Sequence, residues 1–138
     1  MSEAWVVDSS VGFAWVHPSQ ATADTNALLD QVGAGATVVV PTLWFAEIAN
    51  GLLVLQRRRK LTAGERKTAL ETLSKLNFTV DEASGNAAFG KASELAEGFN
   101  ITVYDAIYLE LALRRKLPLA SRDGALWNAA KKAGLKVL

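Results

Sequence analysis

The chain has 138 residues, half of them hydrophobic and about a fifth charged, proportions that suit a single globular domain over residues 1–138 rather than a disordered segment. It holds no cysteine and one histidine, His17, which excludes thiolate chemistry and Cys-ligated zinc and counts against His-dependent metal sites and catalytic triads. Net charge is only +1, yet residues 1–56 carry five acids (Glu3, Asp8, Asp24, Asp30, Glu47) and no base, whereas residues 57–138 hold all 15 bases against nine acids, an asymmetry compatible with an anionic partner on one part of the surface.

Ala4-Trp5-Val6-Val7 reads as a buried strand that ends at Asp8-Ser9-Ser10, a helix cap. A short helix is expected over Val11–Val16, closed by His17-Pro18. Ala27, Leu28, Leu29 and Val32 give helical spacing to Thr25–Val32, which Gly33 and Gly35 end. Ala36–Val40 reads as a second strand stopped by Pro41. Thr42 is expected to cap a long helix from Leu43 to about Arg59. Thr62 and Glu65 stand at capping-box spacing before a helix to about Leu76. Phe78-Thr79-Val80 is a third strand and 84–98 a further helix. Thr102 and Asp105 repeat the capping-box spacing before the helix Ala106–Arg115. Leu117–Ser121 is a fourth short strand, Asp123 opens the last helix, Gly134 ends it, and Leu135–Leu138 closes with a strand. Strands alternate with helices throughout, which predicts an α/β fold: a three-layer α/β/α sandwich with a central, mostly parallel sheet of four to five strands.

Met1-Ser2-Glu3 lacks the basic start of a signal peptide, and the apolar runs fall short of the ~18 residues a membrane helix needs. The sequence therefore predicts a soluble, cytoplasmic protein with no membrane partner.

Sites in open parallel sheets form beyond the carboxyl ends of the strands. Asp8 follows the first strand directly and Asp123 follows the fourth by two residues, so both belong on one rim. Glu47 lies in one of the most apolar stretches, and its helical stripe is Leu43, Ala46, Asn50, Gly51 and Val54. A carboxylate on such a stripe is costly unless paired or bound to a cation. Asn50, one turn on, is placed to orient Glu47 or a bound water. Asp105 starts a helix that points towards the same rim. Crowded carboxylates repel one another until positive charge is supplied, and hard divalent ions such as Mg²⁺ or Mn²⁺ supply it through oxygen ligands. Each acid also has a structural explanation: Asp8 as a cap, Asp105 as a capping-box acid, Asp123-Gly124 as a turn, Glu47 as an exposed helix position. Carboxylate clusters without His or Cys suit phosphoryl chemistry.

The order Val7-Asp8-Ser9-Ser10-Val11, then Pro41 with Glu47 and Asn50, then Tyr104-Asp105-Ala106-Ile107-Tyr108, then Leu117 through Asp123 resembles the PIN-domain nucleases. It is most similar to the VapC-type toxins of toxin–antitoxin modules. The resemblance implies a Mg²⁺- or Mn²⁺-dependent endoribonuclease, usually a homodimer, that is inhibited by a small antitoxin covering the acidic pocket. Carried over by position, Asp8, Glu47, Asp105 and Asp123 would be the catalytic, metal-binding acids. Ser9, Asn50 and Ser121 would support them, and Arg122, beside Asp123, would contact substrate. Hydrolysis by an activated water would leave a 5′ phosphate and a 3′ hydroxyl.

The alternatives are a PIN-like binding module without catalysis, a DNA or flap nuclease with the same metal site, and a phospho-receiver domain, for which Asp81 is a poor acceptor. Arg57, Arg58, Arg59 and Lys60 read as a solvated helix end, as does Arg114-Arg115-Lys116. Trp5, Trp44 and Trp127 are expected in the core, and Trp15 on a dimer or antitoxin surface. His17 is left unassigned.

Overall fold

A computed structural model describes residues 3–138, so the reading of Met1 and Ser2 lies outside the described residues. The elements run β1 (Ala4–Val7), α1 (Ser9–Val16), a 3-10 turn (Pro18–Gln20), α2 (Ala23–Gly33), β2 (Thr37–Pro41), α3 (Leu43–Arg57), α4 (Ala63–Ser74), β3 (Phe78–Asp81), α5 (Ser84–Ala87), α6 (Lys91–Phe99), α7 (Val103–Arg115), β4 (Leu119–Ala120) and α8 (Gly124–Lys132). The four strands form one parallel sheet in the order β3-β2-β1-β4. Val137 adds a single parallel bridge to Leu119, so the expected last strand shrinks to one pairing. Helices flank the sheet, which gives the predicted α/β/α sandwich. None of the helices among the described residues is long and apolar enough to cross a membrane.

The two central strands β1 and β2 are valine-rich apolar runs because both sheet faces are covered there. Val6, Val7, Val38, Val39 and Val40 are all buried, and each such side chain contributes roughly 1.5–3 kcal/mol by leaving water. The seam between α1 and α3 depends on two close approaches. A Cβ on Gly12 would lie 2.7 Å from Ile48 Cδ1 and 2.8 Å from Trp44 Cζ2, and one on Gly51 would lie 2.1 Å from Phe13 Cζ. Each helix thus offers a glycine to the other's large side chains, and this fixes α3, with Glu47, beside the end of β1.

Local signals explain most element boundaries. Thr62 and Glu65 make the reciprocal capping box, and a second one, Thr22 with Thr25, starts α2 two residues earlier than the apolar spacing indicates. Asn100 and Lys116 end α6 and α7 in the left-handed conformation, with Ile101 and Leu117 N–H groups reaching back to Ala96 and Ala112 carbonyls, a Schellman closure without glycine. Thr42 does not cap α3 with its side chain. Its backbone is already helical (φ −58°, ψ −29°), whereas a capping hydroxyl needs an extended residue. The helix expected over 84–98 is two helices, because the chain turns at Gly90 (φ −114°, ψ −108°) and leaves Phe89 wholly exposed.

Arg114 and Arg115 do not form a solvated helix end. Both guanidinium groups donate to Asp81, Arg114 at 2.9 and 2.8 Å and Arg115 at 3.1 and 2.9 Å, and Arg114 also pairs with Glu110 at 2.7 Å. The Arg114 hydrogen bonds, foremost, hold the Asp81 carboxyl well below the usual carboxylate range. An aspartate so saturated ties α7 to β3 and is closed to phosphoryl chemistry. Arg57, Arg58, Arg59 and Lys60 are exposed as expected. Trp15, expected at a surface, is buried and donates its indole N–H to the Thr25 carbonyl at 2.8 Å.

Candidate active site

The strand order β3-β2-β1-β4 puts β2 and β3 successively on one side of β1 and returns β4 to its other side, so the chain's crossovers diverge at β1/β4. That is the topological switch point at which parallel sheets open a crevice. Asp8 and Asp123 flank it. The Asp8 N–H continues the ladder to the Ala120 carbonyl at 3.2 Å, and both carboxylates cap helices there: Asp8 accepts from Val11 N–H at 3.2 Å, and Asp123 from Leu126 N–H at 3.0 Å.

A hydroxyl relay joins the two loops. Ser121 donates to Asp8 Oδ2 at 2.6 Å and Ser10 donates to Oδ1 at 2.6 Å. In return Ser121 Oγ accepts from Asp123 N–H at 2.9 Å, and Ser10 Oγ accepts from Arg122 N–H at 2.8 Å. The buried Asp8 is therefore fixed by neutral donors. Burial, the largest cause, raises its pKa against these three hydrogen bonds, and Asp123 adds repulsion.

Glu47 and Asp105 approach from two helices. The half-buried Glu47 accepts a hydrogen bond from the buried Tyr108 hydroxyl, and desolvation, then the Asp8 charge, pushes its pKa up despite that bond. Asp105 lies in the first turn of α7, one turn before Tyr108. Thr102 Oγ1 accepts from the Asp105 N–H at 3.0 Å, but the Asp105 carboxylate does not return the bond to the Thr102 N–H, so only half of the expected capping box forms. Its pKa is pushed up to about 6 by burial and then by the charges of Asp123, Asp8 and Glu47. Asp105 thus lies in the field of the other three predicted acids.

Among the described residues none of the four pairs with a lysine or arginine, and no three acids or histidines stand at ligand spacing. Crowded carboxylates without a countercharge have raised pKa values. The oxygen-only donors and the absence of a paired cation among the described residues suit a hard divalent ion.

Ser121 is brought into the site as the sequence indicated. Ser9 is half-buried at the first turn of α1, and the hydroxyl on Asp8 is instead that of Ser10. Asn50 is exposed on α3, and the bond to Glu47 comes from Tyr108. Arg122 is exposed beside the relay. Ser10 and Tyr108 are thus the functional neighbours that sequence reasoning missed. Their signals are the Asp-x-Ser spacing of a cap and the i, i+3 spacing from Asp105, which sets both on one helix face.

The model of the PIN domain family matches residues 5–132. None of the curated proteins matches the sequence. Among solved structures, PAE2754 from Pyrobaculum aerophilum is 20% identical with a TM-score of 0.71, over 99% of this chain and 83% of that one. VapBC2 from Rickettsia felis, bound to a DNA fragment from its promoter, is 13% identical with a TM-score of 0.67, over 98% and 97%. FitAcB from Neisseria gonorrhoeae is 20% identical with a TM-score of 0.63, over 97% and 96%. At these identities the structural likenesses establish the fold, while the family match spans nearly the whole sequence and the acids fall at the rim where that fold opens. The chain belongs to the PIN domain family.

Proposed function

We propose that the protein is a divalent-metal-dependent endoribonuclease, the VapC-type toxin of a type II toxin–antitoxin pair. PIN domains are generally nucleases that use divalent metals. The observation that carries the reading is that Asp8, Glu47, Asp105 and Asp123 come from four elements at one rim and, among the described residues, have no cationic partner.

In this reading the four acids hold Mg²⁺ or Mn²⁺. Such an ion supplies a Lewis acid that polarises a phosphate oxygen and lowers the pKa of a water nucleophile. The protein's residues prepare the site. Ser10 and Ser121 fix both Asp8 oxygens and hold the β1 and β4 loops together. Tyr108 fixes one oxygen of Glu47 and leaves the other free. Ser9 and Asn50 border these acids, and Arg122 meets the RNA phosphates. A small antitoxin covers the acids in the resting complex, and the toxin acts as a homodimer. The neighbours VapBC2 and FitAcB support the toxin–antitoxin assignment by their shared fold.

Incubating the purified protein with matched single-stranded RNA and DNA tests this. Mn²⁺-dependent RNA cleavage that chelation abolishes and Asp8→Asn removes is the expected result. Cleavage of DNA alone, or 2′,3′-cyclic phosphate ends, would overturn it.

A further inference from the structure

Three of the four tryptophans, Trp5, Trp15 and Trp44, are buried. Trp127 is not. It is half-buried on α8, with the Lys131 ammonium 5.0 Å from its ring centroid, and lines a cleft of about 300 Å³ between the start of α2 and α8. Thr22, Asp24, Ser121 and Arg122 share that cleft. Ser121 also donates to Asp8 at 2.6 Å, so one residue is the wall between the cleft and the acids.

We propose that this cleft is a nucleobase subsite in which the base next to the scissile phosphate stacks on Trp127. The proposal rests on the RNA-cleaving reading above. An indole flanked by Lys131 and Arg122 matches a flat base joined to an anionic backbone, the pairing that single-strand binders use. Asp24 lies in the first turn of α2, is exposed and has no cationic partner among the described residues. A carboxylate only accepts hydrogen bonds. It therefore favours a base with donors on its pairing edge, and guanine presents two side by side. Unpaired RNA exposes that edge. The cleft thus selects guanine beside the cut.

Fluorescence tests the subsite directly, because the three buried indoles are shielded and quenching by a stacked base reports Trp127. The cleavage-deficient Asp105→Asn protein is titrated with short single-stranded RNAs that differ only in one guanine or uridine. Quenching, tighter for the guanine RNA, is expected, and Asp24→Asn removes the preference. In cleavage assays Trp127→Ala raises KM about ten- to a hundredfold with a smaller change in kcat, and Trp127→Phe restores it. Absence of quenching, or an unchanged KM and cut-site profile in Trp127→Ala, overturns the subsite. If Trp127→Ala melts early, the quenching titration alone decides. The two readings fail separately. Quenching without any wild-type cleavage leaves the subsite and removes the nuclease, while wild-type cleavage indifferent to Trp127 does the reverse.

Discussion

The Ser121 hydroxyl sits 2.6 Å from Asp8 Oδ2 and joins residues 113 positions apart in the chain. With the Arg122 N–H to Ser10 hydroxyl bond, it makes one site of the β1 and β4 loops. Ser121→Ala leaves a buried carboxylate oxygen without its donor, which costs about 1.5–3 kcal/mol when the acceptor is charged. Denaturant melting is expected to show that loss together with a fall in kcat, and Ser121→Thr to keep both near the wild type.

Tyr108 acts on Glu47 alone. Its hydrogen bond lowers a pKa that burial raises, so Tyr108→Phe lets that pKa climb further. A carboxylate must be ionised to hold a cation. The acid limb of the rate–pH profile should therefore move to higher pH in Tyr108→Phe, and the Mn²⁺ concentration for half-maximal rate should increase.

Asp105 has a pKa of about 6 in the folded protein, raised from 3.8. The folded state holds the proton more tightly than the unfolded state, so this group costs nothing below about pH 4 and its penalty is complete above about pH 6. The full shift is discounted because the side chain is half-exposed. Asp105→Asn should stabilise the metal-free protein by about 1 kcal/mol at pH 8 and not at all at pH 4, read as urea midpoints at the two pH values. Its activity should be lost.

Asp81 runs the other way. Its pKa is held below the usual range, so its stabilisation is present above about pH 4 and disappears as pH falls below that value. Asp81→Ala removes the shared acid from two partly exposed guanidinium groups, of which Arg114 keeps Glu110, so the loss of these charge-assisted hydrogen bonds, discounted for solvent screening, costs about 1–3 kcal/mol. Thermal melting should fall sharply, and the remaining folded protein should keep its Mn²⁺ requirement.

The sheet was legible because Val6-Val7 and Val38–Val40 are apolar runs that only a doubly covered strand needs. Asp8 and Asp123 were legible from chain order alone, as residues that follow neighbouring parallel strands. Tyr108 was not, because an aromatic within an apolar helix looks like core until its hydroxyl finds Glu47 on another element. Arg114 and Arg115 were misread for the same reason: a basic helix end looks solvated until a distant residue, Asp81, proves to be buried against it. The break at Gly90 also escaped the helical periodicity, which continues across it. Hydrogen bonds between elements far apart in sequence leave little local pattern.

Four acids that have no cationic partner among the described residues are proposed to hold a divalent ion, and Mn²⁺ binding followed by calorimetry tests this most directly. The wild type should bind Mn²⁺ saturably, Asp8→Asn and Asp105→Asn should each lose at least tenfold in affinity, and Asp30→Asn, on the exposed face of α2, should match the wild type. Unchanged Mn²⁺ affinity in folded Asp8→Asn and Asp105→Asn proteins would contradict the account.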